Sequence, residues 1–218
     1  MRDSYHDELD AISESLVEMA NMVGSAMSRA TTALLDADLT LAEMVISADE
    51  AVDEVYRATE ERAFDLMARQ QPVASDLRVL VTSLRMVADL ERMGDNAVHV
   101  AKIARRRYPA SAVPPQLRST VLEMGHVAEE IVAKAGSVVA QRDLTMAAEL
   151  ERDDDVMDEL HRTLFQLILG EKWDFGIEAA IDVTLAGRYY ERFADHAVSV
   201  ARRVVYLVTG ERPEPVPS

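Results

Sequence analysis

The stretch Glu91-Arg92-Met93-Gly94-Asp95-Asn96-Ala97-Val98-His99-Val100-Ala101 returns one hundred residues later as Glu191-Arg192-Phe193-Ala194-Asp195-His196-Ala197-Val198-Ser199-Val200-Ala201. Each copy sets a Glu and an Asp four residues apart. On a helix that spacing puts both carboxylates on one face, about 5–6 Å apart at Cβ, where like charges repel. A chain that does this twice, in matching contexts, points to something positive held between the acids.

The surroundings are helical. The seven prolines are Pro72, Pro109, Pro114, Pro115, Pro213, Pro215 and Pro217. Residues 1–71, 73–108 and 116–212 are therefore free of the residue that breaks helix interiors. Within these blocks apolar residues recur with a period near 3.5. One seam runs Tyr5, Leu9, Ile12, Leu16, Met19, Val23, Ala26, Ala30; another runs Leu117, Val121, Met124, Ala128, Ile131, Ala135, Val138. Such seams belong to antiparallel bundle helices. Breaks near Asp36–Asp38, Gln70–Ser75, Pro109–Pro115, Arg142–Asp143 and Gly170–Asp174 predict six helices of roughly 27–35 residues, each about 40–50 Å long. The tail after Gly210, ERPEPVPS, reads as disordered.

The six helices fall into two sets of three. Asp38-Leu39-Thr40-Leu41-Ala42 matches Asp143-Leu144-Thr145-Met146-Ala147 at an offset of 143 − 38 = 105, and Glu18-Met19 matches Glu123-Met124 at the same offset. The acidic motif repeats at 191 − 91 = 100. A duplication whose second copy lost five residues between its second and third helices accounts for both numbers. The expected fold is all-α: two tandem, pseudo-symmetric three-helix bundles, residues 1–108 and 115–210, with a tail at 211–218.

On the third-helix seam (Leu80, Leu84, Val87, Glu91, Gly94, Val98, Ala101), Glu91 stands where an apolar residue is due. Glu191 intrudes in the same way on Ala180, Thr184, Gly187, Glu191, Ala194, Val198, Ala201. A charge on a buried stripe is costly unless it is paired or metal-bound. The second helix of each set carries a complementary pair. At 100° per residue Asp49 and Asp53 flank the seam through Val45, Ala48, Val52 and Val55, while Glu50 and Glu54 face solvent. Their repeat mates are Asp154 and Asp158. Each bundle can thus bring Asp-x-x-x-Asp toward Glu-x-x-x-Asp, an oxygen-only donor set suited to hard cations. His99 and His196 are candidate imidazole ligands, while His6, His126 and His161 read as surface or packing residues. The bland alternative is intrahelical ion pairing, Arg92 with Asp95, Arg188 with Glu191 and Arg85 with Asp89, worth a few tenths of a kcal/mol each.

Composition narrows the rest. A net charge of −16 over 218 residues argues against a nucleic-acid backbone as partner. The absence of cysteine excludes disulfides, thiolate metal sites and a Cys nucleophile. No signal peptide or membrane span is expected, which suggests the cytoplasm. There is no nucleophile–base arrangement and no Gly-rich phosphate loop, so the chain reads as non-catalytic. Long amphipathic helices are compatible with a homodimer.

The chain resembles the PhoU family, accessory regulators of bacterial phosphate uptake. The resemblance is carried by Arg69-Gln70-Gln71-Pro72-Val73-Ala74-Ser75-Asp76-Leu77-Arg78, by the segment from Asp89 to Val98, and by the segment from Gly187 to Val198. It implies two three-helix bundles whose Glu/Asp-x-x-x-Asp motifs bind metal clusters, with divalent or trivalent ions (Fe, Mn, Mg or Zn). It assigns Glu91 and Asp95 to one site and Glu191 and Asp195 to the other, supported by Asp49, Asp53, Asp154 and Asp158. Family members commonly carry Asn four residues after the motif Asp, where this chain has His99 and Ser199. The resemblance further implies negative regulation of the phosphate response. The partners would be the ATPase subunit of the phosphate ABC transporter and the sensor histidine kinase of a two-component system, with the membrane met only through them.

Two other classes compete. A carboxylate-bridged di-iron enzyme needs two Glu-x-x-His pairs directed into one core. The chain offers Glu123-Met124-Gly125-His126 and Asp158-Glu159-Leu160-His161, neither on a motif helix. A metal-free adaptor would use its acids only for solubility.

Overall fold

The computed structural model describes the backbone of residues 2–211, with the side chain of Tyr5 and those from residue 7 onward. The described residues form six α-helices and one 3-10 turn: α1 (Arg2–Asp36), α2 (Leu39–Gln70), α3 (Ser75–Arg107), the 3-10 turn Pro115–Leu117, α4 (Arg118–Gln141), α5 (Leu144–Ile168) and α6 (Gly176–Thr209). The helix breaks have local causes. Asp38 caps α2 by accepting from the Leu41 N–H at 2.9 Å, and Asp143 caps α5 by accepting from Thr145 and Met146 at 2.8 and 3.1 Å. The repeated Asp-Leu-Thr is thus an N-cap used twice. Gln71, Arg142 and Gly210 end α2, α4 and α6 in the left-handed conformation, each returning its N–H to the helix.

Two helices are shorter than the expected 27–35 residues. α4 has 24 and α5 has 25. Proline at the start of the connection shapes the first turn as 3-10, so α4 begins only at Arg118. α5 stops at Ile168, with the Leu169 N–H on the Phe165 carbonyl. The expected disordered tail lies outside the described residues except for Glu211.

The apolar seams of α1 and α4 are inside: Ile12, Leu16, Met19 and Val23 on one, Val121, Met124, Ala128 and Ile131 on the other, all with no more than a trace of exposure. Each such side chain contributes about 1.5–3 kcal/mol relative to leaving it in water. The two sets of three do not stand apart. α1, α3, α6 and α4 pack in a closed ring, α1 on α3, α3 on α6, α6 on α4 and α4 on α1. α2 covers α1 and α3 from one side, and α5 covers α4 and α6 from the other. One continuous core runs through all six helices, and a smaller cluster of Tyr5, Ile12, Ala63, Leu66 and Leu80 lies at the α1 start.

Polar side chains tie the ring at chosen points. The Tyr190 hydroxyl of α6 meets Thr31 Oγ1 of α1 at 2.7 Å in the buried centre. At one end of the α3–α6 contact, buried Asp182 pairs with Arg106 and, at 3.0 Å, with Arg107. Toward the other end, Asp89 accepts from Arg203 at 2.6 Å and Ser199 at 3.0 Å and contacts His196 Nδ1 at 3.2 Å.

Candidate functional site

The outer helix of each set, packed against the motif helix, makes a groove lined by acids. In the first groove Asp49 and Asp53 of α2 face Glu91 and Asp95 of α3. Asp49, Asp53 and Glu91 are half-buried, and Asp95 is exposed, as are Glu50 and Glu54. Glu91 lies at the rim of the seam rather than inside it, because α2 covers only part of α3. Gly94 lies beneath Asp49. A Cβ on Gly94 would come 3.1 Å from Asp49 Oδ1 and 3.4 Å from Val52, so the missing side chain leaves a cradle for this carboxylate.

In the second groove Asp154 and Asp158 of α5 face Glu191 and Asp195 of α6. Asp154 and Glu191 are half-buried; Asp158 and Asp195 are open to solvent. Glu191 is held through Oε2, which Arg188 reaches from the preceding turn and which lies 3.3 Å from His161 Nδ1. Among the described residues, no three Asp, Glu or His side chains are gathered closely enough to hold a metal ion as they stand. The acids of each groove are like charges on neighbouring helix faces, which repel.

The electrostatics record that strain. Burial first, then Asp53 and Asp95, push the Asp49 carboxyl up to about 6. Burial, then Asp195, Asp158 and Asp155, push Asp154 up to about 7. Partial desolvation, then the neighbouring motif acid, also raises Glu91 (from Asp95) and Asp195 (from Glu191). Asp89 goes the other way. Burial alone would raise it, but hydrogen bonds from His196 and Arg203, the Arg203 charge and Ser199 outweigh that and hold it below the usual carboxylate range. Asp49, Glu91, Asp154 and Asp195 sit among like charges that their neighbours do not offset, whereas Asp89 is fully partnered. Both grooves offer hard oxygen donors, one of them with a cradle under its deepest carboxylate. That donor set is chemically fit for a hard cation.

The expected imidazoles are engaged elsewhere. His99 stacks on Tyr189, ring centres 4.7 Å apart and 12° from parallel, and His196 turns to Asp89. The residue missed was His161. Its signal was available: it follows Asp154 by seven residues and Asp158 by three, the spacing of one helix face. Of the expected intrahelical pairs, Arg188–Glu191 forms, whereas Asp89 takes Arg203 from α6 instead of Arg85. Glu123 and His126, required by the di-iron alternative, are exposed on α4.

A ring of four helices flanked by two more, with an acidic groove repeated on each side, defines an all-α protein of tandem three-helix repeats. The PhoU domain model matches twice, over residues 16–104 and 121–204. The chain belongs to the PhoU family. It is 52% identical over 213 residues to a Mycobacterium tuberculosis protein named phosphate-specific transport system accessory protein PhoU homolog 2, covering 98% of this chain and 100% of that one. Its fold is similar to the crystal structure of PhoU from Pseudomonas aeruginosa, with a TM-score of 0.86 at 30% identity over 95% of this chain and 100% of the other. It is equally similar to the phosphate transport system regulatory protein PhoU from Streptococcus pneumoniae, with a TM-score of 0.86 at 27% identity over 97% and 100%.

Proposed function

We propose that this protein is an accessory protein of a phosphate-specific transport system and a negative regulator of the phosphate-starvation response. It acts in the cytoplasm, without catalysis of its own and as a homodimer. It couples the ATPase subunit of the phosphate ABC transporter to the sensor histidine kinase of a two-component system. No helix among the described residues is long and apolar enough to cross a membrane, so the reading has it reach the membrane through those partners.

The observation that carries the reading is the pair of equivalent acidic grooves on a fold shared with relatives of that name. Asp49, Asp53, Glu91 and Asp95 would hold one cation site, and Asp154, Asp158, Glu191 and Asp195 the other. Bound cations would supply positive charge that draws the outer helix onto the motif helix, fixing the surface each bundle offers to a partner. The chain's own part is to supply oxygen donors, with Gly94 making room for Asp49.

Two experiments test this. Deleting the gene should raise expression of phosphate-starvation genes in phosphate-rich medium; unchanged repression there overturns the regulatory reading. Asp95→Ala and Asp195→Ala should each lower the metal content of the purified protein, and the double variant should abolish it. Equal metal-to-protein ratios in all variants overturn the cation reading and leave the metal-free adaptor.

A further inference from the structure

We propose that His161 is the positioning residue of the second acidic groove, fixing one oxygen of Glu191 so that the other stays free for a divalent cation. This rests on the cation reading above and names what sets its second site apart from its first.

His161 Nδ1 lies 3.3 Å from Glu191 Oε2, and the two side chains are only 14% and 19% exposed. Its other nitrogen, Nε2, is fully buried and has no hydrogen-bond partner. That decides the tautomer. A proton on Nε2 would orphan a buried donor and turn a lone pair toward a carboxylate. A proton on Nδ1 faces the Glu191 carboxylate across this 3.3 Å contact and leaves only a bare acceptor at the buried nitrogen, the cheaper arrangement. Arg188 reaches the same oxygen, Oε2. Among the described residues no hydrogen bond is made to Oε1, which is left to the groove.

The ring is held by its neighbours. A Cβ on Gly187 would stand 2.9 Å from Leu164 Cδ1 and 3.1 Å from His161 Cδ2, so the imidazole fills the space that a side chain there would take. Phe165 closes on it with ring centres 5.0 Å apart at 60°. The first repeat is built otherwise. The mate of His161 is Tyr56 (161 − 105) and the mate of Gly187 is Val87 (187 − 100). Val87 is fully buried, and the Tyr56 hydroxyl donates to Glu60 at 3.4 Å rather than to Glu91. Among the described residues no hydrogen bond fixes the Glu91 carboxylate. Histidine with glycine in one repeat, against tyrosine with valine in the other, is a paired exchange that opens a slot for the ring.

Magnitudes favour His161 over Arg188 as the group that matters. Partners that orient a metal-ligating side chain typically weigh about 10–100-fold in affinity. The Arg188 side chain is half exposed, and surface pairs of that kind shift an equilibrium by about fivefold or less.

The test isolates each site in the full-length chain and titrates it with Mn²⁺ by calorimetry. In an Asp95→Ala background, which leaves the second site, His161→Phe should weaken Mn²⁺ binding about tenfold or more. His161→Asn, whose amide N–H replaces the Nδ1 donor, should recover to within about threefold of the parent, a rescue that a packing role would not show. In an Asp195→Ala background, which leaves the first site, His161→Phe should change nothing. Unchanged binding by His161→Phe in the first background, or no rescue by His161→Asn, overturns the positioning role and leaves the cation reading standing. No Mn²⁺ binding by either parent overturns both.

Discussion

Asp89 and Tyr189 occupy matched positions in the two repeats, at the offset of 100 that relates the acidic motifs. Both sit on the α3–α6 contact, and the chain uses them in opposite ways. Around Asp89, Arg203, Ser199 and His196 of α6 close an ionic knot. Around Tyr189 there is a flat stack with His99 of α3. His99 and Ser199 are themselves matched positions. The duplication thus preserved the backbone path while matched positions on the contact became electrostatic in one repeat and aromatic in the other. The acidic grooves differ likewise: the second holds its motif Glu through His161 and Arg188, and the first leaves Glu91 without such a hold.

The largest expected effect comes from breaking the ionic knot at Asp89. Asp89→Ala would strand Arg203 beside Ser199 and His196 with no carboxylate. Breaking a buried pair by removing one partner costs about 3–5 kcal/mol, and Arg203 is partly solvated, so about 3 kcal/mol is expected. Tyr189→Ala loses a stack and part of an apolar face, about 1–2 kcal/mol. In a chain of this size these correspond to drops of about 6–12 °C and about 2–8 °C in Tm. Thermal melts of the two variants should differ by that ratio; equal losses would mean the knot adds no more than packing does. The Asp89 carboxyl is depressed in the folded protein, so its contribution is present above its unfolded pKa, near 4, and is lost as pH falls through the folded value. The gap between wild type and Asp89→Ala should therefore close below about pH 4.

The grooves titrate in the opposite sense. Asp154 and Asp49 are raised, to about 7 and about 6. A raised group favours the folded state below its unfolded pKa, and that advantage is lost as pH rises through the folded value. Metal-free protein should therefore lose stability between about pH 4 and pH 7. Asp154→Asn should remove most of this trend and be the more stable protein at pH 8, by about 1 kcal/mol once solvent screening of a half-exposed group is allowed for. Asp49→Asn should do the same more weakly and over a window ending near pH 6. Urea titrations at pH 5 and pH 8, with and without Mn²⁺, check the sign. Cation at pH 8 should reverse the order, because only the wild type keeps the full donor set.

Much of this was legible in the sequence, for identifiable reasons. Helix faces follow from a 3.6-residue period, so Asp49 and Asp53 could be turned inward and Glu50 and Glu54 outward without coordinates. Proline positions and two offsets gave six helices in two sets. Periodicity says that a face is buried but not against what, and so the closed ring of α1, α3, α6 and α4 was hidden. Asp89 illustrates the loss: Arg85 was its obvious mate at i,i−4, yet its partner lies 114 residues along the chain. The spacing of His161 from Asp154 and Asp158 places it on their helix face but does not say that it turns to Glu191 on α6. Its alignment with Tyr56, together with Gly187 against Val87, is the second mark.

The smallest expected effect on stability is the most direct test of the difference between the grooves. Gly94→Ala would give the first motif the alanine that the second carries as Ala194. Replacing a mid-helix glycine by alanine gains about 0.5–1 kcal/mol. Against that, the new Cβ lies 3.1 Å from Asp49 Oδ1, tighter than an ordinary contact, and the carboxylate must move by a few tenths of an ångström. The moving atom is the end of a side chain, so the two terms nearly cancel, and the melting temperature should stay within about 3 °C of wild type. Cation binding has no such compensation. Displacing the most buried carboxylate of the first groove should weaken Mn²⁺ binding there several-fold while leaving the second groove untouched, as titration in the Asp195→Ala and Asp95→Ala backgrounds would separate. Equal losses at both grooves would mean that the two sites communicate through the α3–α6 contact. No loss at either would show that the cradle beneath Asp49 serves helix packing alone.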